Sequence, residues 1–225
     1  MRAFKRRATL AITTVARDQR DLTLQDKLAS GRGCPMSDLA VEERLSAARE
    51  RQARNAAPNR AYVAALARER GLPLASHDDE DETHVDEAAA LGATVSEFPV
   101  TVAAARRARE RGMTIFMGGP NLIRGGSYSG NVRASELAEL GLLDGFASDY
   151  VPRSLIECAF RITGEPFGWS LARGVALVTD APARASGLTD RGRIAPGLRA
   201  DVVRVRQVDG LPIVRGVWAE WRRVA

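Results

Sequence analysis

The chain has 225 residues, 45% of them apolar and 27% charged, with 33 Lys and Arg against 28 Asp and Glu for a net charge of +5. That length allows one large or two small domains with a substantial core. No apolar run approaches the roughly 18 residues of a membrane span, the two cysteines are too few for a disulfide framework, and the scattered arginines form no aromatic-interleaved patch of the kind that grips nucleic acid, so a cytoplasmic globular protein is expected.

The first stretch stands apart. Arg2, Lys5, Arg6, Arg7, Arg17 and Arg20 face a single acid, Asp18, and the apolar run Ala8–Ala16 is too short for a signal peptide. It reads either as a strand with a basic approach or as a disordered start, and residues 1–36 are set apart on that ground. From Ser37, a candidate N-cap, to Arg70 the pattern is helical. Pro58 is expected to split it into two helices or kink it sharply.

Four strand–helix units follow. Leu72–Ser76 leads to a helix over Thr83–Leu91, Thr94–Glu97 to a helix over Val100–Arg111, and Thr114–Met117 through a long Gly-rich loop to a helix over Ala134–Leu140. Leu143–Ala147 leads to a helix from about Pro152 to Arg161. This alternation predicts an α/β protein with a parallel sheet or barrel, whose C-terminal strand ends carry the chemistry. Two more helices are expected near Trp169–Thr179 and Pro182–Gly187. Beyond the turn at Gly192–Gly197, alternating segments at Asp201–Arg206, Leu211–Val217 and Trp218–Val224 predict a small antiparallel tail over 191–225.

The polar clusters fall at the strand ends. Arg124 lies among Asn121, Gly125, Gly126, Ser127, Ser129, Gly130 and Asn131, a composition suited to an anion cradle. Small residues let backbone N–H groups approach a phosphate, and a guanidinium binds its oxygens in pairs. Asp149 follows the last strand and is expected to be an acidic, metal-binding residue there, with helix capping as the competing role. His77 ends the first strand beside Asp78 and Asp79, which serve either as ligands and imidazole partners or as caps of the next helix. His84 is read as structural. Glu97 is read as a ligand or a buried acceptor. Trp169, Trp218 and Trp221 are read as packing residues, and Asp201 as fixing a turn into the tail.

Several of these segments together resemble one family. Ser76-His77-Asp78-Asp79, the S-E-F-P of Ser96–Pro99, the G-G-P-N-L-I-R-G-G-S-Y-S-G-N of Gly118–Asn131, the S-D-Y-V-P of Ser148–Pro152 and the G-R-I-A-P-G-L-R-A-D of Gly192–Asp201 resemble the PhnM-type enzymes of the carbon–phosphorus lyase pathway, a branch of the amidohydrolase superfamily. The last element alone points only to the superfamily. The resemblance runs from about Ser37 to the C-terminus. It implies a divalent metal, zinc or manganese, and hydrolysis of α-D-ribose 1-methylphosphonate 5-triphosphate to the 5-phosphate and pyrophosphate.

The same resemblance places helices and the C-terminal half of a (β/α)8 TIM-type barrel over residues 37–190, with the β tail after it. It makes His77 and Asp149 metal ligands, Asp149 the base that takes a proton from water, and Asp78, Asp79, Asn121, Arg124, Gly125, Gly126, Ser127, Ser129 and Asn131 substrate-binding residues. The sequence departs from the pattern at several points, among them the missing first half of the barrel and Ile12-Thr13-Thr14-Val15 where relatives have Asp-His-Thr-Pro. It has only His77 and His84, so no His-x-His pair, and Tyr128 stands where the family's loop commonly has histidine. Three functions are therefore open: the phosphohydrolase, a catalytically inactive amidohydrolase-like fragment that folds with a partner or as a homo-oligomer through exposed barrel edges, and an amidohydrolase acting on C–N bonds.

Overall fold

The computed structural model describes residues 10–13, 38–127 and 130–225. Most of the segment 1–36, the candidate cap Ser37, and Tyr128 and Ser129 lie outside the described residues. Five parallel strands form one sheet in the order β1 (Leu10–Thr13), β2 (Leu74–His77), β3 (Val95–Glu97), β4 (Thr114–Gly118) and β5 (Gly145–Ala147). Each strand lies beside its sequence neighbour, with Thr13 opposite His77 and His77 opposite Glu97. A parallel sheet wound in sequence order, with crossover helices between its strands, is the repeating unit of a (β/α) barrel. The strand at Leu10–Thr13 selects the strand reading for that part of the basic start.

Before β2 runs α1 (Asp38–Arg70), an unbroken helix of 33 residues with Pro58 inside it. The expected split does not occur. A proline's fixed φ is itself helical, and the cost is a missing N–H and a crowded carbonyl one turn back. Pro58 and Arg54 are both exposed, so water can take up that carbonyl.

The crossover helices after β2 are α2 (Glu82–Ala90), α3 (Val102–Glu110), α4 (Gly119–Arg124) and α5 (Ala134–Glu139), and α6 (Ser154–Arg161) follows the last strand. Helix α2 is capped by Asp81, whose Oδ1 accepts the His84 N–H at 2.9 Å, so neither Asp78 nor Asp79 is the cap. Thr101 caps α3 through the Ala104 N–H at 3.0 Å.

Helix α4 corrects the expected long loop, since β4 passes straight into it at Gly118–Gly119. Pro120 sits in the first turn, where its missing N–H is not needed, and Gly125 closes the helix at φ +81°. Two short helices follow α6, α7 (Leu171–Ala176) and α8 (Asp180–Ala185).

The two-residue period of the strands sorts the core. Leu74, Ile115, Met117 and Phe146 point into the larger apolar cluster against the crossover helices. Ala75, Val95 and Phe116 point the other way, against Ala181 and Ala185 of α8. Gly145 carries no side chain because a Cβ there would lie 2.4 Å from the Phe116 ring. At the strand starts Asp144 joins two layers: its carboxylate accepts the Ile115 N–H and an Arg109 N–H, both at 2.8 Å. Beyond β5 the Phe146 N–H donates to the Leu177 carbonyl at 3.1 Å.

The tail is an antiparallel sheet of β6 (Val202–Val208), β7 (Leu211–Ala219) and β8 (Arg222–Arg223), with a bulge between Arg204 and Val205. Asp201 fixes its entry by accepting the Glu220 N–H at 3.0 Å while pairing with Arg199 at 2.7 Å. Trp169 packs against the larger cluster and Trp218 folds over Gly216. Trp221 does not pack as expected: it is 81% exposed on the turn into β8. Among the described residues no helix is long and apolar enough to cross a membrane.

Candidate functional site

The strand period that sorts the core also aims the site. His77 stands two residues beyond Ala75, Glu97 two beyond Val95 and Gly118 two beyond Phe116. All three lie on the face that carries α8, but at the C-terminal strand ends. Asp149 reaches the same end from the loop after β5. Three non-glycine residues just past these strands, Asp78, Phe98 and Asp149, have φ of 60°, 59° and 50°. Left-handed backbone in such residues is costly and concentrates at functional sites.

His77 Nδ1 lies 3.0 Å from the Asp78 carboxylate, and its ring meets Phe98 edge-on with centroids 5.0 Å apart. That carboxylate holds the His77 pKa above its ordinary value of 6.5 against the opposing pull of burial, and the charges of Glu97 and Asp149 add to the rise. Burial raises the Glu97 carboxyl, His77 opposes this, and Asp78 and Asp149 reinforce it. His77 is therefore disposed to hold a proton, and Glu97 to keep one.

A cleft of about 110 Å³ opens beside these groups, lined by Phe98, Pro99, Met117, Gly118, Asn121, Arg124, Ser127, Asn131 and Asp149. A Cβ built on Gly118 would lie 3.6 Å from Asp149 Oδ2 and 3.7 Å from Phe98 Cε1, so the bare end of β4 is where carboxylate and ring draw close. Arg124, exposed at the end of α4, lies 5.5 Å from the centre of the Tyr150 ring. A larger cavity of about 770 Å³ lies at the other end of the sheet, among Pro73, Thr94, Met113 and Thr114. Its arginines Arg109 and Arg184 are paired with Asp144 and Asp180. The chemistry gathers at the smaller cleft.

Arg124, Ser127, Asn131 and Asp149 thus share one cleft, with His77, Asp78 and Glu97 beside it. Asp79 is turned away. It is fully enclosed between β2 and β3, where the Ser76 hydroxyl and the Ser96 hydroxyl, the latter at 2.9 Å, donate to its Oδ2. A substrate cannot reach it there.

The Asn121 amide is committed to the chain: it donates to the Val132 carbonyl at 3.2 Å and accepts the Ala134 N–H at 2.9 Å, drawing those residues against α4. Gly125 and Gly126 donate to the Leu122 and Asn121 carbonyls at 3.3 and 2.9 Å, the paired bonds that end a helix, so those amides face α4 and not an anion. Those two amides are thus withdrawn from the expected backbone cradle, while the Arg124 side chain lines the cleft. Ser129 lies outside the described residues. His84 is apart from the site and accepts the Glu80 N–H at 3.3 Å.

The sequence reading missed Phe98, Gly118 and Tyr150. Phe98 left one trace, as the residue before Pro99, but restriction before proline does not foretell a positive φ. Among the described residues no three His, Cys, Asp or Glu side chains converge to hold a metal ion. The Asp78 carboxylate on His77 Nδ1 leaves ligation to Nε2, but with no third donor converging among the described residues these side chains do not by themselves make the expected zinc or manganese site.

The comparisons point one way. The family model described as "Amidohydrolase family" matches residues 82–209, more than half of the chain. The alpha-D-ribose 1-methylphosphonate 5-triphosphate diphosphatase of Escherichia coli (strain K12) is 48% identical over 184 residues, which cover 81% of this chain and 48% of that protein. The chain thus spans about half the length of this relative.

Solved structures share the fold at low identity. The amidohydrolase from Thermotoga maritima MSB8 matches with a TM-score of 0.54 and 18% identity, over 93% of this chain and 54% of its own. An enamidase matches with 0.54 and 16%, over 73% and 50%. A prolidase complexed with N-methylphosphonate-L-proline matches with 0.54 and 20%, over 73% and 48%.

Proposed function

The chain belongs to the amidohydrolase family, and from that premise we propose that it forms the phosphate-holding and proton-accepting side of a phosphohydrolase site of phosphonate metabolism. The substrate is α-D-ribose 1-methylphosphonate 5-triphosphate, cleaved to the 5-phosphate and pyrophosphate. The observation that supports this most is the meeting of Arg124 and Asp149 on one cleft inside the matched residues 82–209.

In this reading the Arg124 guanidinium binds non-bridging phosphate oxygens, with Ser127 and Asn131 beside it. Asp149 takes a proton from the attacking water as the new P–O bond forms and the bond to pyrophosphate breaks. Burial shifts the Glu97 carboxyl towards its neutral form, which lessens its repulsion of an incoming anion. Hydrolases of this superfamily are metal-dependent. Among the described residues the donors do not make a metal site on their own, so no step is assigned to a metal.

That same shortage favours a second reading, in which the chain binds the triphosphate but turns over only with another polypeptide, a second copy or a different chain, that brings further donors. The deciding experiment measures pyrophosphate release by the purified chain with and without Mn²⁺ or Zn²⁺. Turnover abolished in Asp149→Asn is the expected result. Triphosphate binding without turnover by folded protein selects the second reading, and absence of both overturns the phosphohydrolase reading.

A further inference from the structure

Helix α6 touches two of the segments that carry the cleft residues, those of Arg124 and Asp149, and it does so along one face. Ser154 and Cys158 are one turn apart and enclosed, 1% and 0% exposed. The Ser154 hydroxyl donates to the Ser148 carbonyl at 3.4 Å, one residue before Asp149. The Cys158 thiol donates to the Gly119 carbonyl at 3.4 Å, at the first residue of the helix that ends in Arg124. Burial pushes the Cys158 thiol up to about 12, so it stays a protonated donor throughout the working pH range.

The fit between α6 and α4 is also steric. A Cβ on Gly119 would lie 2.3 Å from Ser154 Oγ and 3.4 Å from Cys158 Sγ. Glycine is therefore required at 119, and the two α6 side chains set how near α4 comes. On the other side, the Val151 N–H donates to the Ser148 carbonyl at 3.0 Å and the Ser154 N–H to the Val151 carbonyl at 2.9 Å, tying the Asp149 loop to the start of α6.

We propose that Ser154 and Cys158 are positioning residues that lock the Asp149 loop to the β4–α4 corner, so that Asp149 and Arg124 face one cleft at a fixed separation. The inference rests on the reading of that cleft given above. Neither side chain touches substrate. Each acts through the backbone it holds, and small displacements of binding groups are costly.

The test compares the wild-type chain with Gly119→Ala, which drives a methyl into Ser154, and with Gly119→Ala combined with Ser154→Gly, which removes the obstruction. Cys158→Ser, which keeps a donor, and Cys158→Val, which removes it, make the same comparison should Gly119→Ala fail to fold. Amide hydrogen exchange and the binding of inorganic tripolyphosphate are measured on each.

Gly119→Ala and Cys158→Val are expected to speed exchange in residues 118–124 and 148–153 together, and to weaken tripolyphosphate binding about tenfold. Cys158→Ser recovers both, whereas the double variant, which also loses the Ser154 hydroxyl, recovers exchange in residues 118–124 but not in 148–153. Faster exchange in one segment only in Gly119→Ala or Cys158→Val, faster exchange throughout the chain, or no recovery in Cys158→Ser overturns the lock. A wild-type chain that does not bind tripolyphosphate overturns the reading of the cleft, and the exchange pattern still decides whether the lock exists.

Discussion

The Ser96 hydroxyl donates to the Asp79 carboxylate at 2.9 Å in a place closed to solvent, and Ser76 supplies a second hydroxyl from the neighbouring strand. Asp79 is thus a crosspiece between β2 and β3, and its carbonyl accepts the Val100 N–H at 2.9 Å as well. Truncating it leaves two buried hydroxyls without their acceptor. Asp79→Ala is expected to lower stability by roughly 2–4 kcal/mol, measured by urea unfolding, with Asp79→Asn losing less. An unfolding midpoint unchanged in Asp79→Ala would refute the assignment.

Asp78 is expected to govern the proton on His77. The pKa of His77 in the folded chain is raised above 6.5, chiefly by the Asp78 hydrogen bond. A raised folded value contributes stability that is complete below the unfolded pKa and is lost as pH rises through the folded one. Asp78→Asn should bring the imidazole titration, followed by NMR, to lower pH. The stability gap between wild type and variant should shrink as pH climbs above 6.5. A His77 titration that does not move in Asp78→Asn counts against the pairing.

Glu97 carries the same sign for a different reason. Burial is the main cause of its raised pKa, so the folded state favours the neutral acid, and ionisation on raising the pH above the ordinary 4.5 works against folding. Glu97→Gln keeps the shape without the charge. It is expected to gain stability over wild type as pH rises from 4.5 to neutrality, read from thermal midpoints across that range. Parallel pH curves for the two proteins would show that burial does not act as described.

Arg124 is expected to carry anion affinity and little stability, since it is exposed at a helix end. A charge-assisted bond is worth about 1.5–3 kcal/mol, so Arg124→Ala should weaken inorganic tripolyphosphate binding by roughly 10- to 100-fold in a calorimetric titration. Arg124→Lys should fall between, because an ammonium cannot repeat a paired guanidinium contact. Equal affinities for all three would remove Arg124 from the site.

The strands at Leu74, Val95, Thr114 and Gly145 were legible because short apolar runs between helical patterns leave few alternatives, and that order placed His77, Glu97 and Asp149 at one sheet edge. The local chemistry of Gly118–Gly126 misled. Two glycines, a proline and two more glycines read as a loop, yet proline in a first turn and glycine after the last are also a helix's punctuation.

What could not be read depended on partners far along the chain. Asp79 follows His77 closely, but it turns to the opposite face because Ser96, 17 residues on, receives it there. The Asn121 amide looked free for a ligand until Val132 and Ala134 came round to meet it. Metal ligation by His77 and Asp149 rested chiefly on resemblance, and their spacing in sequence carried no geometry.

The bond from the Phe146 N–H to the Leu177 carbonyl closes β5 as well as fastening it. Strand addition from a foreign chain, the first step of sheet extension and of many aggregates, needs an outward amide ready to be annealed. On this short last strand that amide is already spent within the molecule, so the β5 border works as a selvedge, a finished margin that resists being woven further.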